Sequence, residues 1–508
     1  MTIQASIDDA ERGDGLAIPA FAFDNSYARL LEGLYLEVGP TKVAAPCVIK
    51  FNHALAEELG LKLDDLSDEA RAAIFSGNLI PAGAEPLAMA YAGHQFGHFS
   101  PQLGDGRAVL LGEVIDQNGI RRDIQLKGAG QTPFSRRGDG RAALGPVLRE
   151  YIVSEAMHAL GIPATRALAV VLTGERVQRE TGKPGAVFTR VAASHIRVGT
   201  FQFFAARGDV ASVKRLADYA IDRHYPDVKN TERPYLAFLD AVMERQANLI
   251  ARWMGVGFIH GVMNTDNMAI SGETIDFGPC AFLDIYDPNK VFSSIDEQGR
   301  YAYSNQSGIA QWNLARLAET LVALIDPDQQ TAIDLVNELI TAFPERFERH
   351  WLAVMRHKLG LSTEETGDKT LIEAWLTLLH TNNMDFTISF RQLCDASADA
   401  IARHALRESF TDLAAFDAWF NIWQLRLSND SLAPNARISL MRHSNPAFIP
   451  RNHRIEQAIR AAEDEGDFAL FHELGKVLEK PYEDRPEFMQ YRYGPGEGEE
   501  VTRTFCGT

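Results

Sequence analysis

The stretch His260-Gly261-Val262-Met263-Asn264-Thr265-Asp266-Asn267, followed nine residues on by Asp276-Phe277-Gly278, decides how this chain is read. Phosphotransfer sites of the kinase type use a loop H-x-D-x-x-x-x-N and then D-F-G, whose Asn and second Asp hold magnesium against nucleotide phosphates. His260, Asn267 and Asp276 stand at that spacing, but Val262 replaces the aspartate that would orient an incoming hydroxyl. The loop predicts an ATP site whose base lies elsewhere.

Working outward, the segments before the loop alternate between strand and helix patterns. Asn52–Leu59 with Gly60, and Ser67–Phe75, carry an Asn or Ser start and, for the first, a Gly stop, which predicts two short helices. Arg107–Ile115 and Arg122–Lys127, with Gly119 between them, predict a β-hairpin. A helix is expected from Ala143 to Leu160, ended by Gly161–Pro163, and strands at Thr165–Thr173 and Gly185–Val191. Residues 1–25 read as loosely structured. Beyond Asp209 almost everything except 260–295 reads as helix, including Pro234–Met254, Gln311–Leu324, Gln329–Phe343, Leu371–His380 and Arg454–Glu463. The order predicts an α+β, protein-kinase-like two-lobed fold with a mixed β-sheet N-lobe and a largely helical C-lobe. The expected divisions are an N-terminal extension packing on the N-lobe (1–85), the N-lobe with its phosphate site (86–205) and the C-lobe with the metal loop and a cysteine tail (206–508).

Composition bounds the partners. The 508 residues carry a formal charge of −18, which argues against nucleic acid and anionic membranes as general partners. Within this acidic chain, residues 104–200 hold 14 Lys/Arg against 9 Asp/Glu, either a chance fluctuation or an anion site of triphosphate size. Four scattered cysteines make no disulfide framework. The first fifteen residues resemble neither a signal nor a transit peptide, and no apolar run approaches the ~18 residues of a membrane helix. The expectation is a soluble, cytoplasmic monomer.

Lys127 ends the strand Asp123–Lys127 as the nucleotide lysine does in kinases, and Glu150 on the following helix is the natural ion-pair partner, although Glu155 shares that helix. Gly104-Asp105-Gly106-Arg107 recurs as Gly138-Asp139-Gly140-Arg141, so the lysine strand is flanked by two turns whose backbone N–H groups and arginines suit phosphate oxygens. Arg190 and Arg197 read equally as phosphate contacts or as surface charge. Gly93-His94-Gln95-Phe96-Gly97-His98 lacks the Glu of a zinc-protease helix and its glycines oppose a helix, so no zinc site is expected. Gly128-Ala129-Gly130 lacks the third glycine of a dinucleotide fingerprint.

The run from Lys127 to Arg141, Ser154–Pro163, His260–Asn267, Ile275–Pro279 and Asn445–Asn452 together resemble the selenoprotein O family, from about residue 25 to the end. The resemblance implies a kinase-like fold that moves AMP, rather than phosphate, from ATP to protein Ser, Thr or Tyr hydroxyls, with the nucleotide inverted relative to kinases. It implies nucleotide contacts at Gly104, Gly106, Arg107, Lys127, Asp139, Gly140, Arg190, Arg197 and Asp276. Metal ligands (Mg2+ or Mn2+) would be Asn267 and Asp276, and the proton acceptor Asp266; Glu150 is supported as the partner of Lys127. Some relatives bridge a C-terminal cysteine to one near the metal loop. For Cys506 and Cys280 two readings stand open, a redox pair or a free thiol on a tail.

The chemistry has its own logic. AMP transfer presents the α-phosphorus to the nucleophile and needs pyrophosphate stabilised as it leaves. With the triphosphate reversed, the base must move, and Val262 is then no handicap. Competing readings are phosphotransfer to a small molecule, which Val262 disfavours, and a non-catalytic nucleotide-binding scaffold, which the surviving Lys127, Asn267 and Asp276 disfavour.

Overall fold

The structure, a computed structural model, describes residues 21–63 and 65–505, so most of the stretch 1–25, expected to be loosely structured, and Cys506 lie outside the described residues. The strands, in chain order, are β1 Tyr35–Glu37, β2 Cys47–Phe51, β3 Leu87–Met89, β4 Gly93–Gln95, β5 His98–Ser100, β6 Ala108–Ile115, β7 Arg121–Lys127, β8 Ala142–Ala143, β9 Arg166–Gln178 and β10 Gly182–Ala192. Two compact units interleave along the chain. One is built from residues up to 89, 105–143 and 168–191, and the other from 90–104, 144–167 and 192 onward.

The first unit holds an eight-stranded sheet in the order β1-β3-β6-β7-β10-β9-β2, with β8 paired to β10. The pairs β1/β3, β3/β6, β6/β7, β2/β9 and β8/β10 all run antiparallel, which corrects the expectation of a mixed sheet. The physical reason is the connections: β6 and β7 form the expected hairpin around Gly119 (φ +76°), and β9 turns back into β10 across three residues, too few for a parallel crossover. Strand alternation sorts the hairpin's side chains. Ile124 and Leu126 enter the core with Val109, Leu111, Leu168 and Val187, each fully buried aliphatic contributing about 1.5–3 kcal/mol. Their neighbours Asp123, Gln125 and Lys127 take the other face. Helices His53–Glu58 and Asp68–Ser76 cover the core side, capped by Asn52 (Leu55 N, 3.1 Å) and Ser67 (Ala70 N, 3.3 Å).

The second unit is mainly helical. Its first long helix runs Leu144–Ala159, within a residue of expectation, and Gly161 (φ +74°) stands where the chain leaves it. Pro234–Gly255 packs against Gln306–Ile325 and Phe343–Lys358. Asp209, Asp385 and Asp412 cap later helices, each carboxylate accepting a backbone N–H in the first turn. Arg454–Glu463 proves to be an α-helix, Asn452–Arg460, continued by a π turn, Ala461–Glu465. No helix among the described residues is long and apolar enough to cross a membrane.

Candidate active site

In the second unit, the loop from His260 is held by buried hydrogen bonds rather than by regular structure. His260 is fully buried; Nε2 donates to the Ile275 carbonyl (2.9 Å) and Nδ1 accepts the Val262 N–H (3.3 Å), which ties the loop to the residue before Asp276. Burial lowers its pKa, in keeping with a neutral ring. Gly261 takes φ +78°, and a Cβ there would stand 2.8 Å from the Pro279 carbonyl oxygen. Asn264 accepts the Tyr301 hydroxyl (2.7 Å), and Thr265 donates to Gln202 (2.6 Å).

Asp266 is the most unusual group in the loop. It is buried, 7% exposed, and its Oδ1 has no hydrogen-bond partner among the described residues. Its Oδ2 accepts from Gln95 Nε2 (3.2 Å). Burial pushes its pKa up to about 6, against the opposing pull of Arg197 and the Gln95 hydrogen bond. A carboxylate poised near neutrality with one free oxygen is suited to taking a proton. Glycines leave it room: a Cβ on Gly93 would fall 2.4 Å from Asp266 Oδ1, and one on Gly199 would fall 2.1 Å from the Ala92 carbonyl oxygen and 3.3 Å from the Asp266 Cα.

Arg197 joins the loop to Asp276. Its Nη1 reaches the Asp266 carbonyl oxygen (3.0 Å) and Asp276 Oδ2 (3.3 Å), and its guanidinium lies over the Tyr91 ring at 4.5 Å. Asp276 itself takes φ +65°, a left-handed conformation that Asp tolerates better than most residues and that turns the carboxylate out of the chain's extended path. Asn267 Nδ2 donates to the Val262 carbonyl (3.0 Å), leaving the amide oxygen to act as a ligand. Among the described residues no group of three or more His, Cys, Asp or Glu could hold a metal ion alone. Asn267 and Asp276 each offer an oxygen, the donor type that hard ions such as Mg2+ and Mn2+ take alongside phosphate oxygens and water.

Of the basic candidates, Arg107, Lys127 and Arg190 belong to the first unit and Arg197 to the second. Arg190 is 1% exposed and Arg197 2%, so neither is surface charge. Arg190 Nη2 donates to Gln125 Oε1 (2.6 Å), and Gln125 Nε2 donates to Asp105 Oδ2 (3.1 Å), a buried relay that fixes the guanidinium from behind. Around the first Gly-Asp-Gly-Arg turn, Thr132 Oγ1 donates to the Asp105 carbonyl (2.6 Å), and a Cβ on Gly106 would meet the Phe134 carbonyl oxygen at 2.9 Å. In the second turn Gly140 (φ +67°) lies so close to Gly130 that a Cβ would stand 2.1 Å from its carbonyl oxygen. Asp139 pairs with Arg179 (2.8 Å), whose guanidinium holds the carboxyl below its usual range. Lys127 ends β7 opposite Ala108, while Arg107 precedes β6 and accepts the Gly128 N–H through its carbonyl. Gly104 and Glu150 belong to the second unit. There Glu155 is engaged by Arg166 (2.9 Å), and Glu150, 5% exposed, is a buried carboxylate on the same helix.

The motif dismissed as a zinc site proves to pack on the loop. Gly93–Ser100 forms the β4/β5 hairpin, His94 N donates to Thr265 Oγ1 (2.7 Å), and Gln95 reaches Asp266. Sequence reasoning missed Gln95, Gly93 and Gln202; the signal available was three polar or aromatic side chains crowded between glycines. Gln95→Leu is expected to move the acid limb of the pH–rate profile upward and to cut the rate on that limb about two- to tenfold, the worth of one hydrogen bond, as read from initial rates between pH 5 and 8. Cys280 is buried, and its Sγ donates to the Phe277 carbonyl (3.2 Å). Thr504, two residues before Cys506, donates to the carbonyl of Pro279 beside it.

Comparison with known proteins yields one concordant picture. A family model described as protein adenylyltransferase SelO matches residues 18–479. A protein nucleotidyltransferase YdiU of Rhizobium johnstonii is 64% identical over 489 residues, covering 96% of this chain and 98% of the relative. Proteins of the same name from Agrobacterium fabrum (64% over 487 residues; 96% and 99%) and Bradyrhizobium diazoefficiens (59% over 488; 96% and 99%) are similar along the same length.

Proposed function

Because the chain belongs to the protein adenylyltransferase SelO family, and is therefore a nucleotidyltransferase, we propose that it transfers AMP from ATP to Ser, Thr or Tyr hydroxyls of proteins and releases pyrophosphate. The observation that carries the proposal is Asp266, a buried carboxyl at about 6 with an unpartnered oxygen, next in sequence to Asn267. Asp266 accepts the proton of the attacking hydroxyl. The hydroxyl oxygen bonds to the α-phosphorus as the bond to pyrophosphate breaks. Arg197 orients the base through the Asp266 carbonyl and restrains Asp276. Magnesium or manganese on Asn267 and Asp276 would neutralise charge growing on the phosphates. Gly104, Gly106, Arg107, Lys127, Asp139, Gly140 and Arg190 are assigned to the nucleotide. The kinase-like two-lobed reading, with divisions near 85 and 205, belongs to the same proposal and is supported by the motif spacing and by a sheet-bearing unit and a helical unit.

ATP labelled at either the α- or the γ-phosphate tests it. Protein-bound α label that disappears in Asp276→Ala is expected. Incorporated γ label would replace this reading with phosphotransfer, and ATP binding without label would leave a scaffold.

A further inference from the structure

Outside the residues assigned to ATP, the C-terminal helices of the second unit line an open cavity of about 530 Å³. Its wall carries five carboxylates, Glu456, Asp464, Glu465, Asp467 and Glu499, against the single guanidinium of Arg460. Glu456 is ion-paired with Arg149 (2.8 Å), Glu499 accepts the Gly496 N–H (3.0 Å), and Asp467 accepts that of Ala469 (2.8 Å). Asp464 and Glu465 lie on the π turn Ala461–Glu465, which adds a residue to the helical turn just before Gly466 (φ +71°) ends it. Such π turns recur at ligand sites.

His453 is the second, independent sign. It lines the cavity, is only 2% exposed, and neither of its ring nitrogens has a hydrogen-bond partner among the described residues. Buried polar atoms are ordinarily satisfied, so an imidazole with both nitrogens unmatched beside an open cavity marks where a ligand atom belongs. Burial and the neighbouring Arg454 hold its pKa at about 4, so the ring is neutral and offers a lone pair. Leu470, 38% exposed, gives the wall an apolar patch.

We propose that this cavity binds a small linear polyamine, one ammonium donating to His453, another held by Asp464 and Glu465, and the methylene chain lying on Leu470. A bare divalent ion fits less well, since no three His, Cys, Asp or Glu among the described residues converge closely enough to ligate one. An anion is excluded by the carboxylates. The amine would act as a regulator or stabiliser, because none of these residues belongs to the site assigned to ATP.

Spermidine titrated calorimetrically into the full chain, with EDTA and at about 0.15 M ionic strength to screen diffuse attraction, tests the proposal. Saturable one-to-one binding is expected, weakened about tenfold or more both in Asp464→Asn/Glu465→Gln and in His453→Phe. The first variant changes only exposed side chains, so folding does not confound it. Asp334→Asn/Glu338→Gln removes the same charge from an exposed face elsewhere and is expected to bind normally. No saturable heat up to about 5 mM spermidine, or equal weakening in the Asp334/Glu338 variant, would overturn the proposal. Calcium titrated in place of spermidine is the other arm: calcium binding lost in Asp464→Asn/Glu465→Gln would make this a metal site instead.

Discussion

Asp266→Asn is expected to slow AMP transfer by about 10²- to 10⁴-fold, the usual contribution of a general base, while ATP still binds. The substitution keeps the shape and the Gln95 contact and removes only the ability to take a proton. Two readouts separate this from a folding defect. In the wild type, activity should rise with pH as the Asp266 carboxyl ionises and then level; the residual activity of the variant should lack that limb. Stability should move the opposite way. Burial raises this carboxyl in the folded chain, so between the ordinary carboxyl range and pH 6 the unfolded chain ionises while the folded chain stays protonated. Wild-type stability therefore falls as pH rises through that window, by an amount on the order of 1–3 kcal/mol, and the variant escapes the loss. Metal-free thermal melts at pH 4 and pH 8 check it: at pH 8 the variant should be the more stable of the two. A variant that is inactive and equally destabilised at both pH values would instead mark Asp266 as a packing residue.

Gly93→Ala is expected to lower activity by about 10²-fold with the fold retained, the scale of loss for displacing a reacting group by about 1 Å. The new methyl would stand 2.4 Å from Asp266 Oδ1 and 2.9 Å from its Cγ, so the carboxylate has to move. Gly199→Ala meets backbone instead, the Ala92 carbonyl oxygen at 2.1 Å, and should destabilise the chain by about 1–3 kcal/mol besides slowing it. Gly308→Ala, in the helix Gln306–Ile325 with open space around it, is the matched control and should be neutral or slightly stabilising. Melting curves and α-label incorporation on the three variants make the comparison. Gly93→Ala at full activity would show that the Asp266 carboxylate has no fixed position to lose.

Much of this was legible in the chain. Periodicity, the Gly119 turn and the Gly161 stop placed the β6/β7 hairpin and the helix at 144–159 within about a residue, because each is governed by local alternation or by a single terminating residue. The direction of the strands was not, since strand pairing depends on residues far apart: β2 pairs with β9 across more than a hundred positions. The loop at 260–267 was readable because its chemistry is compact in sequence. Gln95 was not, for its role depends on a hairpin some 170 residues away folding onto Thr265 and Asp266. Arg190 and Arg197 looked undecided for a similar reason. Nothing in a neighbouring sequence window announces that a guanidinium will be buried against Gln125 or stacked on Tyr91.

The fit between Gly93 and Asp266 also constrains how this protein can change over generations. A longer acid at 266 would demand still more of the space that only a residue without a side chain leaves open, and a side chain at 93 becomes tolerable only after 266 has shrunk. The two positions can therefore be traded in one order and not the other. Across descendants of this chain, departures from glycine at 93 should be found only in those that have already given up the aspartate.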